Sequence, residues 1–189
     1  EANPKHKYQN YGGYKICINI ENECGTDSKC ISIFISKPGV LKIATSEVVH
    51  VACFGEASGS IQIKAEGGQP PYKFQWSNQD TTSSIYNLRS GNYIVSITDQ
   101  QNFIIEKEFI ILQPGELLLD QIDLTPASSG QANGRIYLNN SGGVKPYQYV
   151  WSNGMTTNPI EMLKSGSYQV QLTDANLCMK EFGPFEIKE

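Results

Sequence analysis

The chain repeats itself, and this repeat limits how its 189 residues can be organised. Sliding the sequence by about 75 residues without a gap aligns 53–112 with 128–187 at roughly 22 identical positions. The stretch "GGQPPYKFQWSN" at 67–78 returns as "GGVKPYQYVWSN" at 142–153. Glycines, aromatic residues and alternate aliphatic residues persist, whereas the positions between them drift. A period of this size is typical of arrayed modules that each form one structural unit.

Each copy has the pattern of short strands joined by turns. Tyr72 and Trp76 fall on one face of an alternating run, and Tyr147 and Trp151 occupy the same places in the second copy. No stretch shows a sustained helical period of 3.6 residues. The strands predicted for the first full copy are 47–52, 59–65, 71–76, 83–87, 92–98 and 103–112.

A second motif points to one type of sandwich. The spacing Leu-x-x-Gly-x-Tyr ends at Tyr93 and again at Tyr168, and it resembles the tyrosine corner of immunoglobulin-like domains. We therefore predict an all-β chain of tandem immunoglobulin-like β-sandwich modules. The predicted structural core includes Tyr72, Trp76, Tyr93, Tyr147, Trp151 and Tyr168.

Two similar joints divide the chain. "SKPGVL" at 36–41 and "LQPGEL" at 112–117 both place Pro-Gly between the last strand of one unit and the first strand of the next. We name residues 1–36 the first segment, 37–113 the second module and 114–189 the third module. Proline stiffens a linker, so the modules are predicted to be arranged as a semi-rigid rod. No signal sequence opens the chain, and we read Glu1 as an internal start.

The five cysteines include no Cys-x-x-Cys pair, which favours disulfides in an oxidising exterior over a zinc ribbon or a redox dithiol. Cys17 and Cys30 lie in two alternating runs on either side of "ENECGTDS". A hairpin there would set them opposite each other on its outer face, and we predict that they form a disulfide. Two partners stay open for Cys24, namely Cys53 or a cysteine in the missing half of its own domain.

Composition and spacing argue against several kinds of chemistry. The chain has fifteen Lys and Arg residues and nineteen Asp and Glu residues, and it contains no basic stripe that could bind nucleic acid. No apolar run is long enough to span a membrane. His6 and His50 lie near no Ser or Cys nucleophile motif. Asp99 and Asp174 lack the spacing of a calcium loop and are predicted to cap turns. No catalytic residue, metal ligand or cofactor is predicted.

The motif order GG-x-x-PY, WS and L-x-x-G-x-Y-x-V-x-x-TD, found twice within about 45–189, resembles the SprB repeat of Bacteroidota surface proteins. That family pattern carries one cysteine near the module start and another just after TD. Here Cys53 and Cys178 each keep one half of the pair, while Ser128 and Phe103 occupy the other two positions. Cys53 and Cys178 are therefore expected at opposite ends of neighbouring modules, or bonded to other partners. The first segment, which contains "NPKHKYQNYGGYKICINI", is similar to the last strands of a PKD domain.

The resemblance implies a non-catalytic segment of a large secreted adhesin or appendage fibre at the cell surface. Such proteins leave the cell by the type IX secretion route and serve gliding, attachment or prey capture. The implied partner is an extracellular surface or a polysaccharide ligand. An alternative is that the modules are spacers or carbohydrate-binding modules of a secreted multidomain hydrolase. A further hypothesis is that identical chains associate laterally as a homo-oligomer in a filament.

Overall fold

A computed structural model describes residues 12–22, 25–35 and 39–189 of the chain, and these ranges contain strands, turns and bends but no helix. The strands are β1 (Gly12–Asn22), β2 (Gly25–Ile35), β3 (Lys42–Val49), β4 (Gly59–Glu66), β5 (Lys73–Trp76), β6 (Ser84–Leu88), β7 (Gly91–Thr98), β8 (Ile104–Ile111), β9 (Leu118–Thr125), β10 (Gly134–Ser141), β11 (Gln148–Trp151), β12 (Ile160–Leu163), β13 (Gly166–Thr173) and β14 (Met179–Ile187). The prediction of an all-β chain is confirmed.

The second and third modules share one topology. Strands β3 to β8 form two antiparallel sheets with the orders β3-β4-β6 and β5-β7-β8. Strands β9 to β14 repeat them as β9-β10-β12 and β11-β13-β14. Each module buries its own apolar cluster, which includes Ile61 and Val95 in the second and Ile136 and Val170 in the third. The tandem immunoglobulin-like sandwiches follow from the alternation in the sequence.

Tryptophan fills the centre of both modules. Trp76 and Trp151 are each 2% exposed, and each ring lies 5.9 Å from a phenylalanine on the last strand of its module. Their indole Nε1 groups donate to the backbone oxygens of Thr82 and Thr157, at 2.8 and 2.9 Å. The aromatic ring is thus buried while its one polar atom has a partner, as a core tryptophan requires.

The tyrosines lie closer to the surface than the tryptophans. Tyr93 and Tyr168 are half-buried against the two cores. Their hydroxyls donate to the backbone oxygens of Arg89 and Lys164, each at 3.0 Å and each four residues earlier. This is the hydrogen bond of a tyrosine corner, which ties the loop to the start of the following strand.

The first strand of the second module begins earlier than 47–52. β3 pairs with β4 from Lys42 to Val49, and the chain then leaves the sheet. Val51 is 4% exposed but lies in the loop, where its N–H donates to the Leu112 oxygen at 2.9 Å. The sequence alone extends the strand too far because a buried loop residue at this position continues the apolar alternation of the strand.

The described part of the first segment is a hairpin. β1 and β2 pair in an antiparallel register that sets Cys17 opposite Cys30. A disulfide joins the two residues with an S–S distance of 2.06 Å and a Cα–Cα distance of 4.0 Å. Both cysteines are exposed, and so are Ile18 and Ile31 beside them. The assignment of residues 1–36 to a PKD-like sandwich stays a prediction.

Candidate functional site at the joint between the modules

The second and third modules begin with the same backbone contact. In the third module the N–H of Gly143 donates to the oxygen of Gly115 in the Pro-Gly joint, at 2.8 Å. In the second module the N–H of Gly68 donates to the oxygen of Gly39, at 2.6 Å. The Gly-Gly turn of each copy therefore holds the chain as it enters that module.

The close approach explains why glycine recurs in this turn. Gly142 has a φ of +78°, and a Cβ there would lie 1.7 Å from the backbone oxygen of Glu116. Gly67 has a φ of +71°, and its Cβ would lie 2.0 Å from the oxygen of Val40. Any side chain would both favour another backbone conformation and overlap the joint.

A tyrosine fastens the same turn from the other side. The hydroxyls of Tyr72 and Tyr147 donate to the backbone oxygens of Gly67 and Gly142, each at 2.6 Å. Both tyrosines are half-buried, so their rings cover part of the module while their hydroxyls reach the turn. The recurring Gly-Gly and Pro-Tyr elements thus form one local structure at the module entrance.

Asp174 holds the loop that follows β13. It is 2% exposed, and its Oδ1 accepts from the N–H groups of Asn176 and Cys178 at 2.8 and 2.9 Å. Its Oδ2 accepts from the N–H of Val144, beside the Gly-Gly turn, at 2.9 Å. One buried carboxylate therefore connects the module entrance to the loop that carries Cys178.

Asp99 does the same in the second module, where it is 3% exposed. Its carboxylate accepts from the N–H groups of Gln69, Gln101 and Phe103 at 2.8 to 3.0 Å. Burial by itself raises the pKa of this carboxyl group, but the hydrogen bonds from Gln69, Phe103 and Gln101 outweigh it and leave the pKa below its usual value. Both aspartates therefore cap turns.

Cys53 and Cys178 form a disulfide between the two modules. The S–S distance is 2.04 Å, the Cα–Cα distance is 5.6 Å, and the residues are 125 positions apart in the chain. The expectation that the two cysteines lie apart at opposite ends of neighbouring modules, or are bonded to other partners, is therefore wrong. The alternative that Cys53 is the partner of Cys24 is excluded as well.

The reason for the pairing lies in how the chain passes from one module to the next. The Cys53 loop contacts the end of its own module, because Gly55 N–H donates to Gln113 Oε1 at 3.0 Å and Val51 N–H donates to Leu112. The Cys178 loop lies at the beginning of the third module through Asp174. Because the joint connects these two ends directly, the two loops meet.

Further contacts surround the disulfide. Asn176 Nδ2 donates to the backbone oxygen of Ala52 at 2.9 Å, across the two modules. Arg89 Nη1 donates to the Gly55 oxygen at 2.6 Å and supports the Cys53 loop from within the second module. A cleft of about 390 Å3 remains beside the bond, bordered by Phe54 and Met179 among others. The joint is therefore held by a covalent bond and a hydrogen bond between loops that are themselves anchored.

The two histidines and Cys24 were the other residues considered for a chemical role. His50 Nδ1 accepts from the N–H of Leu112 at 3.2 Å, which fixes the loop before Cys53. His6 and Cys24 lie outside the described residues. Within 12–22, 25–35 and 39–189, no three or more His, Cys, Asp or Glu side chains are grouped to hold a metal ion. The same ranges include no helix with the length and apolar character that a membrane crossing requires.

Comparison with known proteins finds one family that matches both copies of the repeat. The family model described as SprB repeat matches residues 45–81 and 129–156, one segment in each module. A comparison with curated proteins gives no match. Among solved structures, the chain is similar to one from "Crystal structure of Dpr11 IG1 bound to DIP-gamma IG+IG2", with 12% identity and a TM-score of 0.28. That match covers 73% of this chain and 96% of the other.

Proposed function

We propose that this chain, which carries two SprB repeats, is a load-bearing, non-catalytic segment of an extracellular adhesin at a bacterial cell surface. The SprB repeat family suggests a surface adhesin of the Bacteroidota type. The two disulfides fit an oxidising exterior. In this role the modules form a rod that separates the cell from the surface or polysaccharide to which the adhesin attaches, in gliding, attachment or prey capture.

The observation that carries the proposal is the Cys53–Cys178 disulfide, through which tension on the chain would pass from one module to the next. Tension on the two ends of the chain enters the second module through β3 and reaches Cys53. From there it crosses the disulfide to Cys178 and leaves through β14. Strands β4 to β13 all lie inside the closed loop and therefore outside the path of the load.

The closed loop sets a limit on how far the segment can lengthen. Because it spans 125 residues, full extension of that loop would add about 400–450 Å. With the disulfide intact, only residues outside the loop can extend when a module unfolds. A stalk built in this way keeps its reach under load, because covalent bonds and not sheet hydrogen bonds carry the tension across both modules.

Single-molecule pulling on the two ends of the full chain tests the proposal. The double variant Cys53→Ser/Cys178→Ser should unfold to a contour length about 400–450 Å greater than that of the oxidised wild type, as its 125-residue loop is freed.

The matched control is Cys17→Ser/Cys30→Ser, which opens the hairpin disulfide. That bond closes a separation of 13 residues, so its removal should add about 40–50 Å. Equal contour lengths for the wild type and the Cys53→Ser/Cys178→Ser variant would show that the disulfide does not carry the load, and the proposed role would fail.

A further inference from the structure

The cleft beside the Cys53–Cys178 disulfide is bordered by large apolar side chains from both modules. Phe54 comes from the second module, whereas Leu177 and Met179 come from the third. Leu177 is 75% exposed, Met179 is 65% exposed, and Phe54 is half exposed. The cleft has a volume of about 390 Å3 and lies between two modules, which is a common place for a binding pocket. Its apolar surface exists only where the two modules meet.

Leu177 has a backbone conformation that leucine rarely adopts. Its φ is +65°, in the left-handed region that favours glycine and asparagine. The second module has Asn102 at this position, also with a φ of +65°. The two loops match, because Asn102 N–H donates to the Asp99 oxygen at 3.1 Å and Leu177 N–H donates to the Asp174 oxygen at 3.0 Å. Asparagine would suit the loop better, so the exposed leucine does not serve the stability of the loop.

The loops on both sides of the cleft are held in place. Phe54 lies between the disulfide and Gly55, whose backbone oxygen accepts from Arg89 Nη1 at 2.6 Å. The carboxylate of Asp174 accepts from the N–H groups of the residues on both sides of Leu177, at 2.8 and 2.9 Å. The apolar surface is therefore formed before any partner arrives, which lowers the entropy lost on binding.

The charges around the cleft are mainly negative. The carboxylates of Glu56, Glu116 and Asp174 border it, together with one ammonium group, that of Lys180. Lys180 Nζ lies 2.7 Å from Glu116 Oε1, so these two charges form a pair. Asp174 is buried and already accepts three N–H groups. Glu56 is exposed and forms no ion pair with any residue that the structure describes, so a cation is favoured beside it.

We propose that the cleft binds an extended segment of another protein in which an aliphatic side chain is followed by arginine or lysine. The aliphatic side chain would lie against Phe54, Leu177 and Met179, and the basic side chain would reach Glu56. Leucine and methionine side chains are flexible and adapt to the shape of an apolar partner. The negative charge disfavours an anionic lipid surface at the same place. The proposal depends on the joint between the modules and not on the adhesive role.

NMR of isotope-labelled methionine methyl groups in the full chain tests the proposal. The chain has three methionines, namely Met155, Met162 and Met179. The probes are N-acetyl-leucyl-arginine amide and N-acetyl-leucyl-glutamate amide, each added up to about 10 mM. The arginine probe should shift the Met179 signal saturably, with a Kd at least about threefold lower than that of the glutamate probe, because the latter repels Glu56. Met162 is 79% exposed but does not border the cleft, so its signal should not move.

The variant Leu177→Asn separates a binding role from a structural one. It gives the third module the residue that the second module has at this position, and it should raise the Kd of the arginine probe at least about fivefold. The denaturant midpoint of the third module should stay the same or rise, because asparagine suits the left-handed conformation.

Met162→Asn is the matched control. Met162 is exposed with a φ of +56°, and the second module has Asn87 there with a φ of +55°. The same change outside the cleft should therefore leave the Kd of the arginine probe unchanged.

Several results would overturn the proposal. These are no shift of the Met179 signal, equal shifts of the Met162 and Met179 signals, equal Kd values for the two probes, or a lower denaturant midpoint for Leu177→Asn. A Met179 signal that changes with protein concentration in the absence of a probe would show that a second copy of the chain occupies the cleft, and it would overturn the proposal as well.

Discussion

Cys53 and Cys178 are 125 residues apart in the chain, yet their Cα atoms lie 5.6 Å apart and a disulfide joins them. The bond connects the end of the second module to the beginning of the third. It therefore links two folded units that each have a separate apolar core. A short linker alone allows neighbouring domains to move relative to one another, whereas a covalent bond beside the linker removes most of that freedom.

The Gly-Gly turn should be far more sensitive to substitution than another glycine of similar backbone conformation. Gly142→Ala places a Cβ 1.7 Å from the Glu116 oxygen and should destabilise the third module by more than the strain of its positive φ, about 1–2 kcal/mol. Gly154 has a φ of +84° with nothing within 4 Å, so Gly154→Ala should cost only that strain. Chemical unfolding of both variants gives the comparison, and equal losses would show that the joint adjusts to a side chain.

The tryptophan of each module should be essential for stability. Trp151→Ala leaves a cavity in the core of the third module and should lower its free energy of unfolding by about 3–5 kcal/mol. Val150→Ala is the matched control on the same strand, because Val150 is 51% exposed and its truncation should cost about 0.5 kcal/mol or less. Denaturant titration measures both variants. A loss below about 1 kcal/mol for Trp151→Ala would contradict the core position of this side chain.

Acid should weaken the second module through Asp99. Its pKa is lower in the folded state than in the unfolded state, where the pKa is about 3.9, because backbone N–H groups bind its carboxylate. The carboxylate therefore stabilises the folded module above about pH 4, and this contribution is lost as the pH falls through the lower folded-state pKa. Asp99→Asn should be less stable at neutral pH and should lose less further stability below about pH 4. Denaturant unfolding at each pH measures the free energy of unfolding of the variant and the wild type. If this free energy falls equally in both proteins as the pH is lowered, Asp99 does not have this role.

The module fold could be predicted from the sequence because it depends on local and repeated features. Alternation at Tyr72 and Trp76 sets one face of a strand against the core, and the same alternation recurs at Tyr147 and Trp151. The two copies keep the same residue types at inward-facing positions and differ at outward-facing positions. Comparing them therefore shows which face of each strand is buried, even without related sequences. The end of β3 was predicted less accurately, because Val51 is buried in a loop and is not paired within the sheet.

The disulfide at the joint could not be predicted in the same way. The pairing depends on which ends of two modules meet, and this follows from the hydrogen bonds of Gly143 and Asp174 around the joint. No pattern within one copy contains that information. A signal did exist in the comparison of the copies, because Cys53 and Cys178 are the two complementary halves of one pair in successive modules.

Peptide mapping of the native chain without reduction tests the central claim most directly. After free thiols are blocked and the chain is digested, mass spectrometry should find the Cys53 peptide linked to the Cys178 peptide, and the Cys17 peptide linked to the Cys30 peptide. Both links should disappear on reduction. A native chain in which Cys53 and Cys178 are blocked as free thiols, or are linked to other cysteines, would contradict the locked joint and the load path that depends on it.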